Sequence, residues 1–216
     1  MESKKISKSV LKRLPGYLSY LKSLPEGSAT HISATALANA LGMGEVQVRK
    51  DLAMVSDGGR PKIGYLREAL IDDIEQFLGY DNTTDAVLIG AGKLGQALMA
   101  YNGFDEYGLN ILAAFDARPK KEKTDEGKPI YPVTELAKFC RAHKVLMGII
   151  TVPAEGAQDI ANQLIAGGIK AIWNFAPTHL DVPSNILVQN ENMATSLAVL
   201  SVHLQAQIKE EKEIKK

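Results

Sequence analysis

The chain has 216 residues, 45% hydrophobic and 23% charged, a globular balance with room for one large domain or two small ones. No run approaches the roughly 18 apolar residues that cross a bilayer, and MESKKISKS lacks a secretion signal's apolar stretch, so a cytoplasmic protein is expected. The single Cys140 excludes an intramolecular disulfide and a cysteine-rich metal cage, and suits helix packing better than redox chemistry. Net charge is zero but unevenly spread. Residues 1–67 hold 11 Lys or Arg against 5 Asp or Glu, and the remainder holds 14 against 20. The positive potential therefore sits on the N-terminal third, where a module that meets phosphates would carry it.

From Ser7 to Leu24, the residues Leu11, Leu14, Leu18 and Leu21 recur at helical spacing. Pro15 inside this run should bend the helix or mark an internal start. A short helix follows with Ser33 as N-cap, and Gly42-Met-Gly44 separates it from a third helix over about Glu45–Val55. Two short helices around a Gly-containing turn outline a helix-turn-helix. In the third helix Val48, Leu52 and Val55 share an inward face, while Gln47, Arg49 and Lys50 lie on the other sides. Such a helix suits the major groove, with Gln and Arg reading base edges and Lys meeting phosphate. Gly58–Tyr65 then reads as a basic wing bearing Arg60 and Lys62. Helices of this kind also serve as protein-contact modules, and the wing favours DNA.

Asp85–Ile89 is an apolar strand running into Gly90-Ala91-Gly92-Lys93-Leu94-Gly95, with a helix behind it. Strand, spacing and helix together form a dinucleotide-binding fingerprint. A second strand, Asn110–Phe115, ends at Asp116, 26 residues after Gly90. An acid there bonds a ribose diol and repels a 2′-phosphate, which favours NAD over NADP. Arg118, Lys120 and Lys121 could accept that phosphate, but read mainly as a solvated run, with Arg118 free to stack on adenine. A helix near Val133–Ala142, a strand Val145–Thr151, a helix Glu155–Ala166 and strands at Ile169–Phe175 and Ile186–Gln189 complete an α/β pattern. Thr151-Val152-Pro153 and Asn174 fall at strand ends where open sheets bind ligands. The last helix carries Met193, Leu197, Leu200, Leu204 and Ile208 as an apolar stripe, which docks on its own domain or on a second copy. Three domains are expected: a winged helix (1–80), a Rossmann domain (81–190) and a C-terminal helix (191–216). His31, His143, His179 and His203 fall in no acid–base or metal pattern, so neither an enzyme nor a metal site is expected.

Lys5-Ile-Ser-Lys-Ser-Val-Leu-Lys-Arg13-Leu-Pro-Gly-Tyr17-Leu and Gln47-Val-Arg-Lys-Asp-Leu52 resemble the winged helix of the Rex family of redox-sensing repressors. Gly90–Leu98, Tyr101-Asn-Gly-Phe104, Phe115-Asp116, Thr151-Val-Pro-Ala and Gly168–Pro177 are similar to its Rossmann domain. The resemblance implies a homodimer with swapped C-terminal helices, an NAD(H) cofactor and a double-stranded operator bound when NAD⁺ is abundant. The lack of a bilayer-length apolar run and of metal-ligand spacing leads us to expect no membrane or metal partner.

Two departures stand out. The family wing reads Gly-x-Arg-Gly-x-Gly-Tyr, and its Arg enters an A·T-rich minor groove. Here Pro61 holds the Arg position, so Arg60 or Lys62 is expected to substitute. In the family switch an Asp couples to an Arg and a Tyr, which correspond to Arg13 and Tyr101 here, and the Phe that follows it approaches the partner's nicotinamide pocket. Asn192 and Met193 replace Asp-Phe. A charge-assisted hydrogen bond is roughly twice as strong as a neutral one, so weaker coupling is expected. A regulator with a structural or different nucleotide, or a small NAD-dependent oxidoreductase, remains the alternative.

Overall fold

The computed structural model describes residues 7–25 and 27–214. Two units divide it, Met1–Asn82 with Glu106–Gly108, and Thr83–Asp105 with Leu109–Lys216. In the first unit α1 (Lys8–Ser23) buries Val10, Leu14, Tyr17, Leu18 and Leu21. Leu14, Leu18 and Leu21 of the expected stripe are buried as expected. Leu11 is exposed, and Val10 and Tyr17 are buried beside the stripe instead. Helix α1 is unbroken, so Pro15 marks no internal start. The bond it cannot donate would have gone to the carbonyl of solvent-facing Leu11, which water can satisfy.

Helix α2 (Ala34–Leu41) is capped by Ser33, whose Oγ accepts from the Ala36 amide at 3.0 Å, and it ends in left-handed Gly42. Helix α3 (Glu45–Val55) packs Val48 and Leu52 on Leu14, Leu37, Leu70 and Ile74. Each such leucine contributes about 2 kcal/mol by leaving water. A two-stranded antiparallel sheet joins β1 (His31–Ile32) to β2 (Tyr65–Leu66) at the base of the wing. Helix α4 (Arg67–Leu78), absent from the sequence reading, closes this core through Leu70 and Ile74.

The second unit is a six-stranded, wholly parallel sheet. Its strands are β3 (Thr84–Ile89), β4 (Leu109–Asp116), β5 (Ile130–Pro132), β6 (Met147–Ile150), β7 (Ala171–Asn174) and β8 (Leu187–Asn190). Their order is β5-β4-β3-β6-β7-β8, the doubly wound order that turns back beside the first strand. β3 buries Ala86 through Ile89 without alternation, as a central strand covered on both faces must. Short β5 was not anticipated. The helix expected near Val133 opens as a 3-10 turn, Val133–Glu135, and becomes α6 (Leu136–His143). The crossovers are completed by α5 (Lys93–Met99) and α7 (Ala154–Ala166), and α8 (Met193–Ile214) ends the chain. Along α8, Leu197, Leu200, Leu204 and Ile208 are exposed, so docking on its own domain is overturned.

Candidate dinucleotide site and DNA-reading surface

The glycine loop leaves β3 at the point where the sheet order reverses. Gly90 has φ 105°, a region that favours glycine, and a Cβ there would lie 2.9 Å from the Thr151 carbonyl oxygen. A Cβ on Gly95 would collide with the Gly90 carbonyl oxygen, so α5 lies directly against the strand end. Gly92 faces open space, which close approach of a pyrophosphate requires. Lys93 and Leu94 begin α5, where first-turn amides lack intrahelical acceptors and suit phosphate oxygens.

Asp116 ends β4. Its Oδ2 accepts from the Ala91 amide at 2.8 Å and its Oδ1 from the Arg118 amide at 2.8 Å. The carboxylate thus braces the glycine loop and retains lone pairs for a ribose diol. On the other side, the Thr151 hydroxyl lies 3.0 Å from the Ile89 carbonyl oxygen and 2.8 Å from that of Gly90. Between them is a cleft of about 600 Å³, lined by Gly90, Gly92, Asp116, Thr151, Val152 and Pro153. That volume is ordinary for a small-molecule site.

Glu155 and Asp159 of α7 also line the cleft, and the sequence reading missed them. With Asp116 they put three carboxylates on one cleft, which disfavours additional negative charge within it. Arg118, Lys120 and Lys121 line a neighbouring hollow of about 310 Å³, and Lys121 pairs with Asp125 at 2.8 Å. The residues present therefore fit an unphosphorylated dinucleotide.

Asn174, at the end of β7, is held from several sides. It is fully buried, and its amide nitrogen donates to the Thr178 carbonyl at 3.0 Å and to Asn190 Oδ1 at 2.8 Å. Its own oxygen accepts from the Ala176 amide at 3.0 Å. The side chain braces the loop after β7 on β8. Beyond it an aromatic row runs Tyr101–Phe104–Trp173–Phe175, with successive ring centroids 4.9, 5.8 and 4.9 Å apart.

Of the expected switch residues, Arg13, Tyr101 and Asn192 are each engaged within their own unit. Asn192 Oδ1 accepts from the amides of Ala194 at 3.0 Å and Thr195 at 3.2 Å, so it caps α8. Tyr101 packs edge-on against Phe104. The side chain of Met193 lies outside the described residues. Arg13 grips Asp51, with Nε to Oδ2 at 2.7 Å and Nη2 to Oδ1 at 2.9 Å, and Tyr17 donates to the same Oδ2 at 2.8 Å. Burial, aided by the bond to Asp51, pushes the Tyr17 phenol up to about 12, and the bond to Asp51 raises Arg13 further above its already high value. This network was not foreseen, because Asp51 sits among exposed polar residues and its burial depends on helix packing 38 positions away.

In the first unit, Gln47, Arg49 and Lys50 are exposed on α3, and Arg49 pairs with Glu45 one turn earlier. In the wing, Arg60 and Gly64 exchange two backbone hydrogen bonds of 2.9 Å around a Pro61-Lys62-Ile63 tip. Lys62 adopts φ 66°, uncommon for a non-glycine residue. Arg49, Arg60 and Lys62 come together around a hollow of about 470 Å³, whereas Gln47 and Lys50 do not line it.

A basic winged helix joined to a dinucleotide-type Rossmann sheet defines a nucleotide-binding transcription regulator. The profile described as "Putative DNA-binding protein N-terminus" matches residues 5–53, and that described as "CoA binding domain" matches 81–178. The redox-sensing transcriptional repressor Rex of Porphyromonas gingivalis is 40% identical over 197 residues, 91% of this chain and 90% of that protein. That of Clostridium botulinum is 40% identical over 95% of this chain and 99% of its own length. The solved structure of RSP with β-NAD⁺ and operator DNA superposes with a TM-score of 0.87 at 32% identity, covering 99% of both chains. The same repressor with β-NADH gives 0.86. The chain belongs to the Rex family of redox-sensing transcriptional repressors, which are regulators rather than enzymes.

Proposed function

We propose that this protein is a cytoplasmic repressor that binds an operator through residues 1–80 and NAD(H) through residues 81–190, and leaves DNA as NADH rises. The carrying observation is Asp116, bonded to the Ala91 amide at the reversal of the sheet beside open Gly92, on a chain that also bears a basic wing. Gly90–Gly95, Asp116, Thr151, Val152 and Pro153 hold the cofactor, and Arg118 flanks it. Gln47, Arg49, Lys50, Arg60 and Lys62 meet DNA. The exposed stripe of α8, within 191–216, pairs with a second copy, which suits a two-headed reader of DNA.

The test is operator affinity at fixed salt with saturating NAD⁺ or NADH. Weaker binding with NADH supports the reading, and equal affinity under both removes redox sensing. A second reading, a regulator whose nucleotide is structural, is favoured by one observation. Asn192 caps α8 while Arg13 is bound to Asp51, so neither side chain is free of a partner.

A further inference from the structure

Gln47 is the exposed member of the buried network on α3. Arg13 presents only donors to its carboxamide, so the amide is assigned with its oxygen towards the guanidinium, where it accepts from Nη1 at 3.2 Å and Nη2 at 3.0 Å. The same guanidinium is fixed by its two bonds to Asp51, whose side chain is only 4% exposed and also accepts from Tyr17. Arg13 belongs to α1 and Asp51 lies one turn beyond Gln47 on α3, so three side chains from two helices set one amide's orientation. A free glutamine reads adenine by accepting from N6 and donating to N7. With its oxygen held by a cation that has no acceptor capacity, Gln47 keeps only its two N–H donors for a partner.

We propose that the Arg13–Asp51 pair makes Gln47 a donor-only reader, selecting a base edge that presents acceptors alone in the major groove. Guanine, with O6 and N7, is the first such edge and thymine O4 the second, while adenine is rejected. Arg13 is here a positioning residue, and Gln47 is the specificity-determining one. The inference rests on the DNA-binding reading above and says which base that surface prefers.

The experiment selects duplexes from a random library on the full-length wild-type protein, then measures affinity for all four base pairs at each enriched position. At one position wild type should prefer guanine, or thymine, over adenine by about tenfold, and Gln47→Ala should erase that preference alone. Gln47→Glu, which needs no change in the core, retains an acceptor for Arg13 but loses both donors. It should reverse the choice there towards cytosine, whose N4 amine donates. The triple variant Arg13→Met, Tyr17→Phe, Asp51→Leu replaces the network by apolar groups and leaves no buried charge unpaired. It frees the Gln47 oxygen and should bring adenine to parity or better at that position only. The assignment is overturned if wild type prefers adenine there, if Gln47→Ala leaves every preference intact, or if the triple variant keeps the wild-type preference. Failure to enrich any duplex would instead overturn the DNA-binding reading itself.

Discussion

The carboxylate of Asp116 accepts from the Ala91 amide at 2.8 Å, so the acid that ends β4 also shapes the loop that leaves β3. One side chain therefore couples two parts of the dinucleotide cleft. Asp116→Asn keeps the shape but loses the charge, and its amide nitrogen cannot accept from Ala91. Affinity for NADH should fall about tenfold, since each charge-assisted bond contributes about 1.5 kcal/mol or more. Affinity for NADPH should fall less, because the repulsion of its 2′-phosphate is relieved. Calorimetric titration of both nucleotides checks the two arms, and an equal loss for each would remove the selectivity role.

Asp51 is buried with Arg13 and Tyr17 as its partners. Asp51→Ala leaves the guanidinium without its counter-charge, and breaking such a pair should cost about 3 kcal/mol. The urea midpoint of the N-terminal unit should drop accordingly. Tyr17→Phe leaves both Arg13 bonds to Asp51 in place and should cost only about 1 kcal/mol.

Alkaline pH should unfold the protein through groups whose protonated forms the fold protects. Burial pushes the Cys140 thiol from 9.0 up to about 11, and Tyr17 rises from 10.0 to about 12. Both native values are raised, so their stabilising effect is complete below pH 9 and is lost as pH climbs through 11 to 12. Urea midpoints at pH 8, 10 and 11 should fall in that order. The same burial predicts that Cys140 resists alkylation at pH 7.5 until the chain is unfolded.

Much of this was legible in the sequence. The glycine spacing, the acid at the end of β4 and the limits of α3 follow from local patterns, each within a dozen residues. What escaped depends on pairings between distant segments. Helix α4 has Leu66 at its cap position and a face marked mainly by Leu70 and Ile74, so neither end nor stripe stood out. Strand β5 has three residues and exists because Ala114 to Asp116 lie beside it. Asn174 occupies a ligand-binding edge in sequence, yet β8 arrives from 16 positions away to claim its amide.

The exposed apolar side chains of α8 predict a concentration-dependent assembly. Leu200→Glu with Leu204→Glu puts two charges into the proposed contact between copies, where burying an unpaired carboxylate is costly. Light scattering should show a dimer for wild type and a monomer for the variant, with operator affinity lost alongside. A variant that stays dimeric would place the contact elsewhere.

At the wing tip, charge and backbone strain pull in opposite directions. Lys62 sits at φ 66°, which costs a lysine about 1 kcal/mol over glycine. Lys62→Gly should therefore raise stability by about that amount. If Lys62 meets a phosphate or the minor groove, the same change removes one cation from the interface. The slope of log affinity against log salt should then shrink by about 1, with affinity falling on all sequences alike. A variant that is more stable yet binds more weakly separates the two effects, because a purely structural lysine would leave the salt slope unchanged. Arg60→Ala tests the other wing cation without touching the strained position, since its backbone bonds to Gly64 do not need its side chain. Loss of slope in both variants would assign two cations to DNA, replacing the arginine whose place Pro61 holds.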